Sequence, residues 1–194
     1  RQRRANEDAL FARTPVFVVA DGMGGAQAGE VASSTAIEAF GQGLPEVGAE
    51  QALAEVIQTA NARIHEMSRA DVHRAGMGTT VSAVVMVDDY AVIGHIGDSR
   101  VYLYRDDTLT QITTDHTFVQ RLVASGRITP EEARYHPRRS VLMRVLGDMD
   151  PDPEVDTFIM PTQDGDRWLL CSDGLSGVVD DAHTTKALAL GMPP

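Results

Sequence analysis

The stretch VVADGMGGAQAGE, residues 18–30, places Asp21 between an apolar run and four glycines. Residues 16–20 (VFVVA) predict a short buried strand. Residues 30–40 predict a helix, because their apolar side chains recur at helical spacing. These side chains are Ala32, Ala36 and Phe40. A glycine-rich connection from a strand to a helix is typical of phosphate-binding loops. The stretch therefore raises two alternatives, a nucleotide-binding loop or a site built around the aspartate.

The spacing of the glycines fits neither common phosphate-binding loop. A dinucleotide-binding fingerprint needs a third glycine where Gln27 stands, and a P-loop needs a lysine where Glu30 stands. A carboxylate at the lysine position would repel the phosphates. The aspartate itself is therefore the candidate functional group.

Similar aspartates follow two other predicted strands. Asp98 comes after IGHIG, residues 93–97, and Asp173 comes after WLLCS, residues 168–172, while Asn6-Glu7-Asp8 adds acids near the start. Carboxylates at strand ends can meet at one edge of a sheet, and oxygen ligands suit Mg²⁺ or Mn²⁺ better than zinc. Asp-Gly pairs are also common in plain turns. Spacing alone therefore leaves a metal site and ordinary turns open.

The remaining periodicity predicts an α+β fold. Residues 50–67 have the apolar spacing of a second helix, and two shorter helices are predicted at 117–125 and from Thr129. Residues with strand character form successive pairs separated by polar turns. The pairs are 79–87 with 90–96, 101–104 with 109–113, and 155–160 with 167–171 around 163–166. Grouped helices and meandering strands favour antiparallel sheets covered by helices.

Composition limits the function classes. The 194 residues suit one domain, and the net charge of −11 argues against nucleic acids and anionic membranes as partners. The single cysteine, Cys171, excludes an internal disulfide and suits a reducing compartment. No apolar run approaches the roughly 18 residues that span a bilayer. The sequence therefore predicts a cytoplasmic location, either as a separate protein or as the cytoplasmic domain of a larger one.

Five motifs in order carry a family resemblance. They are RANEDA (4–9), VVADGMGGAQAGEVAS (18–33), GMGTTV (76–81), IGDSRVY (96–102) and LLCSDGL (169–175). Together they resemble the metal-dependent serine/threonine protein phosphatases of type 2C in their bacterial form, and residues 115–147 are also similar to that family. The resemblance implies a single catalytic domain over 1–194, built as an α-β-β-α sandwich of two stacked antiparallel β-sheets flanked by helices, with two Mn²⁺ or Mg²⁺ ions at one end.

The resemblance also implies a role for each matching residue. Asp21 would bridge the two ions, the Gly22 carbonyl would bind one of them, and Asp173 would bind the other. The glycines would let the backbone turn so that this carbonyl and the Asp21 carboxylate reach one ion. Glu7 would lie near the metals through a water molecule. Asp98 resembles the residue that, with Asp173, holds a third, weaker ion in bacterial relatives.

The expected mechanism is direct hydrolysis by a metal-activated water. Arg3 lies four residues before Glu7, where the family has its phosphate-binding arginine, and would grip the phosphate oxygens. Met23 stands where animal members have a histidine that protonates the leaving group, so a metal-bound water would take over that role. His116 is an alternative acid unless it is a surface histidine. Asp8 is either part of the site or a surface acid.

The implied function is dephosphorylation of phosphoserine and phosphothreonine in proteins by a monomer that opposes a serine/threonine kinase. The family closes its domain with an Asp-Asn motif, and the asparagines here, Asn6 and Asn61, do not form one. We therefore expect a domain that lacks its C-terminal part and the extreme N-terminal strand before Arg3. The alternative is a non-catalytic family member that binds phosphoproteins or a signalling partner through the same cleft.

Overall fold

The computed structural model describes residues 6–44, 48–148 and 150–191. Within these residues the chain forms nine β-strands and six α-helices. The strands are β1 (Asp8–Arg13), β2 (Val16–Met23), β3 (Gly78–Thr79), β4 (Val81–Val87), β5 (Tyr90–Ile96), β6 (Arg100–Arg105), β7 (Thr108–Gln111), β8 (Asp156–Pro161) and β9 (Arg167–Cys171). The helices are α1 (Ala26–Gly41), α2 (Ala49–Ala70), α3 (Phe118–Ala124), α4 (Pro130–Tyr135), α5 (Asp173–Ser176) and α6 (Asp181–Ala189), with a 3₁₀ turn at Val72–Arg74.

The described strands form two antiparallel sheets. The larger sheet has the order β1-β2-β4-β5-β8, with the short β3 paired to β2, and the smaller sheet has the order β7-β6-β9. The register of β1 with β2 places Asp8 directly opposite Asp21. In the register of β4 with β5, Ser82 lies opposite His95. The α+β class with two antiparallel sheets is therefore confirmed.

Alternation along the strands separates two hydrophobic cores. On the outer face of the larger sheet, apolar side chains of β2, β4 and β5 pack against α1 and α2. The other face packs against the smaller sheet, where Val84 and Ile93 meet Val101 of β6 and Trp168 of β9. Successive strand residues point to opposite faces, so Asp21 and Ser82 belong to the face between the sheets. Helix α6 contacts β7 of the smaller sheet.

Most predicted elements are confirmed, but one predicted hairpin is wrong. The strands predicted at 155–160 and 167–171 exist as β8 and β9, yet β8 pairs with β5 of the larger sheet and β9 pairs with β6 of the smaller sheet. Their connection crosses from one sheet to the other. Asp166 fixes the connection between β8 and β9. Its carboxylate accepts a hydrogen bond from the Gln163 amide and forms an ion pair with Arg105 at 2.6 Å.

The predicted meander is also interrupted after β5. Strand β6 pairs with β7 and β9 rather than with β5, so the chain changes sheets at Gly97. Gly97 has a φ of +108°, a backbone conformation that favours glycine. This sheet change places Asp98 between the ends of β5 and β6. Among the described helices, none is both long and apolar enough to span a membrane.

Candidate metal centre

The predicted acidic residues lie on elements that end together at one end of the gap between the sheets. Asp21 lies near the end of β2, and its cross-strand partner Asp8 begins β1. Asp98 follows β5 and precedes β6, while Asp173 follows β9 and begins α5. Because neighbouring strands are antiparallel, the end of one strand lies beside the start of the next. The expectation that strand-end carboxylates share one edge therefore agrees with the topology.

Hydroxyl groups connect the Asp21 strand to the Asp98 loop. The Asp21 amide donates to Thr80 Oγ1 at 3.0 Å, and the Asp21 carbonyl accepts from the Thr80 amide at 2.9 Å. Thr80 Oγ1 is 2.7 Å from Ser99 Oγ, and both residues are buried. The residue after Asp98 is thus fixed to the residue that holds Asp21, so the two aspartates keep a defined relative position.

A second hydroxyl connects the two sheets at the same end. Ser172 Oγ donates to Asp8 Oδ2 at 3.0 Å, which joins the end of β9 to the start of β1. The other oxygen of this carboxylate, Oδ1, is buried and has no hydrogen-bond partner among the described residues. A buried carboxylate oxygen without a partner carries an energetic cost that a cation or a water molecule can relieve. Asp8 is therefore half-buried between the two sheets, and its interpretation as an N-terminal surface acid is wrong.

Close packing, rather than a turn, explains the glycine after Asp21. A β-carbon at Gly22 would come within 2.0 Å of the Gly29 carbonyl oxygen and 2.8 Å of the Glu7 carbonyl oxygen. The positive φ angles belong to Gly24 and Gly25, at +119° and +95°. The backbone turn predicted for the glycines of this stretch therefore lies at Gly24 and Gly25 and does not involve Gly22. Gly22 continues β2, and its missing side chain lets the first turn of α1 approach the strand.

Glu7 is anchored beside the same contact. Its carbonyl oxygen accepts from the Gly22 amide at 3.0 Å and from Ser33 Oγ at 2.6 Å. Its carboxylate lies against Gly29, since a β-carbon there would be 2.9 Å from Glu7 Oε2. The structure therefore places Glu7 between the Asp21 strand and α1.

The environment of Asp98 opposes a full negative charge. Burial, together with the nearby carboxylates of Asp173 and Asp115, raises the pKa of Asp98 to about 6, while Arg100 acts in the opposite direction. Arg100 itself donates to both oxygens of Asp115, with the shortest contact at 2.7 Å. Asp98 and Asp173 are thus close enough to repel each other. A bound cation would relieve that repulsion.

The donor chemistry fits Mg²⁺ or Mn²⁺. The acids at this end of the sheets offer only oxygen, and these ions are commonly held by one or two carboxylates together with waters. The buried Asp8 Oδ1 and the repulsion between Asp98 and Asp173 both favour a cation. Within the described part of the chain, no three His, Cys, Asp or Glu side chains form a group that could by itself hold a metal ion. Carbonyl oxygens and waters would therefore complete each coordination shell.

Arg3 lies outside the described residues. The interpretation of His116 as a surface histidine is wrong, because only 5% of the residue is exposed and its ring bonds Gly97 and Asp156. Its burial follows from its position between the Gly97 loop and β8, where polar partners are available on both sides of the ring.

Sequence reasoning missed the hydroxyl side chains that position the acids. Thr80, Ser99 and Ser172 all lie inside the quoted motifs, each next to or opposite a site aspartate. A serine directly beside Asp98 and another beside Asp173 were the available signal, whereas Thr80 has no such neighbour relation to Asp21 in the sequence. The partners of these hydroxyls come from distant parts of the sequence, so the individual hydrogen bonds were not predictable.

The chain belongs to the protein phosphatase 2C family, whose model matches residues 1–190. The serine/threonine protein phosphatase PstP of Mycobacterium tuberculosis is 43% identical over 191 residues, covering 97% of this chain and 37% of that protein. The serine/threonine phosphatase stp of Listeria innocua is 40% identical over 200 residues, covering 97% of this chain and 79% of that protein. The chain thus spans well under half the length of the mycobacterial relative.

Solved structures agree with the family assignment. A crystal structure of M. tuberculosis PstP has a TM-score of 0.89 and 43% sequence identity, and the match covers 96% of this chain and 80% of that chain. The catalytic domain of PstP in complex with two manganese ions has a TM-score of 0.86 and 41% identity, covering 98% of this chain and 80% of that chain.

Proposed function

We propose that this chain hydrolyses phosphoserine and phosphothreonine in proteins with the help of two Mn²⁺ or Mg²⁺ ions. The observation that carries the proposal is the link from the Asp21 strand through Thr80 to Ser99 in the Asp98 loop, together with the electrostatic interaction of Asp98 with Asp173. Family membership supports the same chemistry, since the PstP catalytic domain was solved with two manganese ions.

Asp21 would bridge the two ions, and the Gly22 carbonyl would bind one of them. Asp173, at the start of α5, would bind the other ion, with Glu7 near the metals through water. Asp98 and Asp173 would share a third, weaker ion, which would relieve the repulsion between their carboxylates. When bound, the ions would supply a water that is acidic near neutral pH and positive charge for the phosphate oxygens.

The chain's own residues would orient the substrate and the acids. Arg3 would grip two phosphate oxygens, because a guanidinium offers parallel donors to such a group. The hydroxyls of Thr80 and Ser172 would keep Asp21 and Asp8 in place during the reaction. These groups need not move while charge develops on the phosphate, which is the condition for electrostatic stabilisation.

We further propose that the substrates are phosphorylated proteins made by a serine/threonine kinase, and that the chain acts as a monomer in the cytoplasm. The relatives are named serine/threonine phosphatases, which supports the substrate class. The net charge of −11 would repel a phosphate group from most of the surface. This charge supports the proposal that the phosphate binds at a locally positive metal centre. We also propose that residues 1–194 form one catalytic domain.

The test is hydrolysis of a phosphothreonine peptide with millimolar Mn²⁺ and again with a chelator. Asp21→Asn and Asp173→Asn should each lower turnover about 100-fold or more, because even residues that only support metal ligands cost about 10- to 100-fold. Asp164→Asn is the matched control, since Asp164 is an exposed acid in the turn between β8 and β9. This control should retain wild-type turnover.

The same assay separates the enzyme from the non-catalytic alternative. Manganese-dependent turnover that both site variants abolish supports the hydrolase. Metal-independent turnover, or equal loss in Asp164→Asn, contradicts the proposed centre. Tight binding of the phosphopeptide with no turnover under any metal would instead identify a binding module.

A further inference from the structure

The loop that carries Asp98 is held from one side by residues 113–116. The Gly97 carbonyl accepts from the His116 amide at 2.7 Å, and the Gly97 amide donates to His116 Nδ1 at 3.1 Å. Thr113 Oγ1 accepts from the Val101 amide at 3.1 Å, on the far side of Asp98. The amide and the carbonyl of Gly97, the residue before Asp98, are thus both bonded to a single residue, His116.

These contacts define the protonation of the His116 ring. A backbone amide can only donate, so Nδ1 accepts from Gly97 and carries no proton. The proton therefore lies on Nε2, which donates to Asp156 Oδ2 at 3.0 Å. Burial lowers the pKa of His116, which agrees with a neutral ring. The other carboxylate oxygen, Asp156 Oδ1, accepts from Arg144 at 3.2 Å, so the ring is oriented from both ends.

His116 also anchors the segment that follows it. Its carbonyl oxygen accepts from the Met143 amide at 2.7 Å, and the Phe118 amide donates to the Val141 carbonyl at 2.9 Å. The chain from Phe118 to Val141, which includes α3 and α4, therefore leaves and returns beside this one residue.

Gly97 needs an external partner to hold its conformation. Its φ of +108° is one of many that glycine can adopt, so the angle alone does not fix the loop. Thr80 limits the space on one side, because a β-carbon at position 97 would lie 2.5 Å from Thr80 Cγ2. The ring nitrogen of His116 supplies the only acceptor for the Gly97 amide among the described residues.

We propose that His116 is a positioning residue for metal binding at Asp98, acting through the hydrogen bond from the Gly97 amide to Nδ1. The inference rests on the proposed function, in which Asp98 and Asp173 hold the weaker ion. His116 touches neither that ion nor the substrate. Loss of the Nδ1 acceptor leaves the Gly97 amide without this partner and loosens the backbone that leads into Asp98. The carboxylate then moves away from its ion, because groups that orient metal ligands control affinity.

Two substitutions separate the two ends of the ring. His116→Asn places an amide oxygen at the position of Nδ1, so it keeps an acceptor for Gly97 and loses the contact with Asp156. His116→Gln places its amide at the position of Nε2, so it keeps a donor to Asp156 and loses the acceptor for Gly97. If His116 served only to fill the core, the two variants would not differ in Mn²⁺ affinity in the predicted direction.

The experiment is a titration of the full chain with Mn²⁺. Binding is measured by isothermal calorimetry and, independently, by the electron paramagnetic resonance signal of the free ion. We expect His116→Gln to weaken the weakest Mn²⁺ site at least about 10-fold and to change the tighter sites less than about 3-fold. His116→Asn should stay within about 3-fold of wild type at every site. Equal affinities of the two variants at the weakest site, or the reverse order, overturn the inference.

Nuclear magnetic resonance of the wild-type chain provides a measurement that does not depend on variant folding. The ¹⁵N signals of His116 should identify an unprotonated Nδ1 and a protonated Nε2, with a scalar coupling between Nδ1 and the Gly97 amide nitrogen. A protonated Nδ1 overturns the inference. If wild type binds no Mn²⁺ and has no turnover, the proposed function fails as well. If wild type binds and turns over but the variants do not differ, only the role of His116 fails.

Discussion

At the scale of single residues, His95 links stability to pH. The residue is 0% exposed, and its Nε2 donates to the Thr114 carbonyl. Burial, together with the neighbouring His116, lowers the pKa of His95 to about 4 from 6.5. Between these values the unfolded chain binds a proton that the folded chain does not, so stability falls as pH falls. The contribution amounts to about 2 kcal/mol between pH 7 and pH 5.

This prediction is tested as a difference between two proteins, because the raised pKa of Asp98 acts with the opposite sign in the same pH range. Urea unfolding at pH 7 and pH 5 should show that wild type loses about 2 kcal/mol more than His95→Gln on acidification. The exposed His73→Gln should follow wild type. A difference between wild type and His95→Gln that does not change with pH would contradict the assignment.

Gly22 is predicted to tolerate no side chain. In Gly22→Ala the new β-carbon meets the Gly29 carbonyl oxygen at 2.0 Å, so β2 and the first turn of α1 must separate. We expect the free energy of unfolding to fall by about 3 kcal/mol or more, the upper range for overpacking. Gly41→Ala is the control, because a β-carbon at position 41 would have no neighbour within 4 Å. Denaturant unfolding of the control should show no loss, and an equal loss in both would argue against the contact.

Single residues also show which features of the site could be predicted from the sequence. The strand-end positions of Asp21, Asp98 and Asp173 were predictable, because each follows an apolar run whose pattern identifies a strand. Their roles as metal ligands were implied only by the family resemblance and stay predictions. The buried position of His116 was not predictable, since its ring bonds Asp156, which lies 40 residues away in the sequence. Nothing in the local pattern distinguishes a histidine in a buried hydrogen-bond network from one at the surface.

At the scale of elements, helix α2 packs closely on β5 because Gly94 has no side chain. A β-carbon at position 94 would lie 2.8 Å from Leu53 Cγ and 2.9 Å from Ile57 Cδ1. Gly94→Ala should therefore push α2 from the sheet and lower the free energy of unfolding by about 1–3 kcal/mol. In the Leu53→Ala background the same change should cost less, because the truncated side chain leaves room.

A double-mutant cycle measured by urea unfolding checks this prediction. A coupling energy of about 1 kcal/mol, in the direction of mutual relief, is expected for residues in direct contact. Additive losses would mean that α2 does not approach β5 as closely as the structure places it.

Strand pairing is the element-level property that the sequence did not determine. The spans of β8 and β9 followed from composition and from the turn residues between them, but both were assigned to one hairpin. Alternation of apolar and polar residues predicts that a strand has an apolar face. It does not identify the sheet in which the strand pairs. The ion pair between Asp166 and Arg105, and the packing of Trp168 between the sheets, decide the pairing through contacts distant in sequence.

At the scale of the whole molecule, the proposed centre joins the two sheets. Asp21 belongs to the larger sheet, while Asp173 directly follows the smaller one, and Ser172 already bonds Asp8 across the gap. An ion bound by both aspartates requires both sheets in their native arrangement. Metal binding should therefore stabilise the entire fold, and the bound cations also offset part of the net charge of −11.

We therefore predict that Mn²⁺ at about 100 times its dissociation constant raises the free energy of unfolding by about 2.7 kcal/mol. Thermal and urea unfolding with Mn²⁺ and with a chelator measure this difference. Asp21→Asn should abolish the metal-dependent part, while Asp164→Asn, in an exposed turn, should retain it. If Mn²⁺ stabilises the Asp21 variant as much as wild type, the ion binds elsewhere and does not join the sheets. Stabilisation that depends on Asp21 and on Asp173 alike is the result that only an ion shared between the sheets can produce.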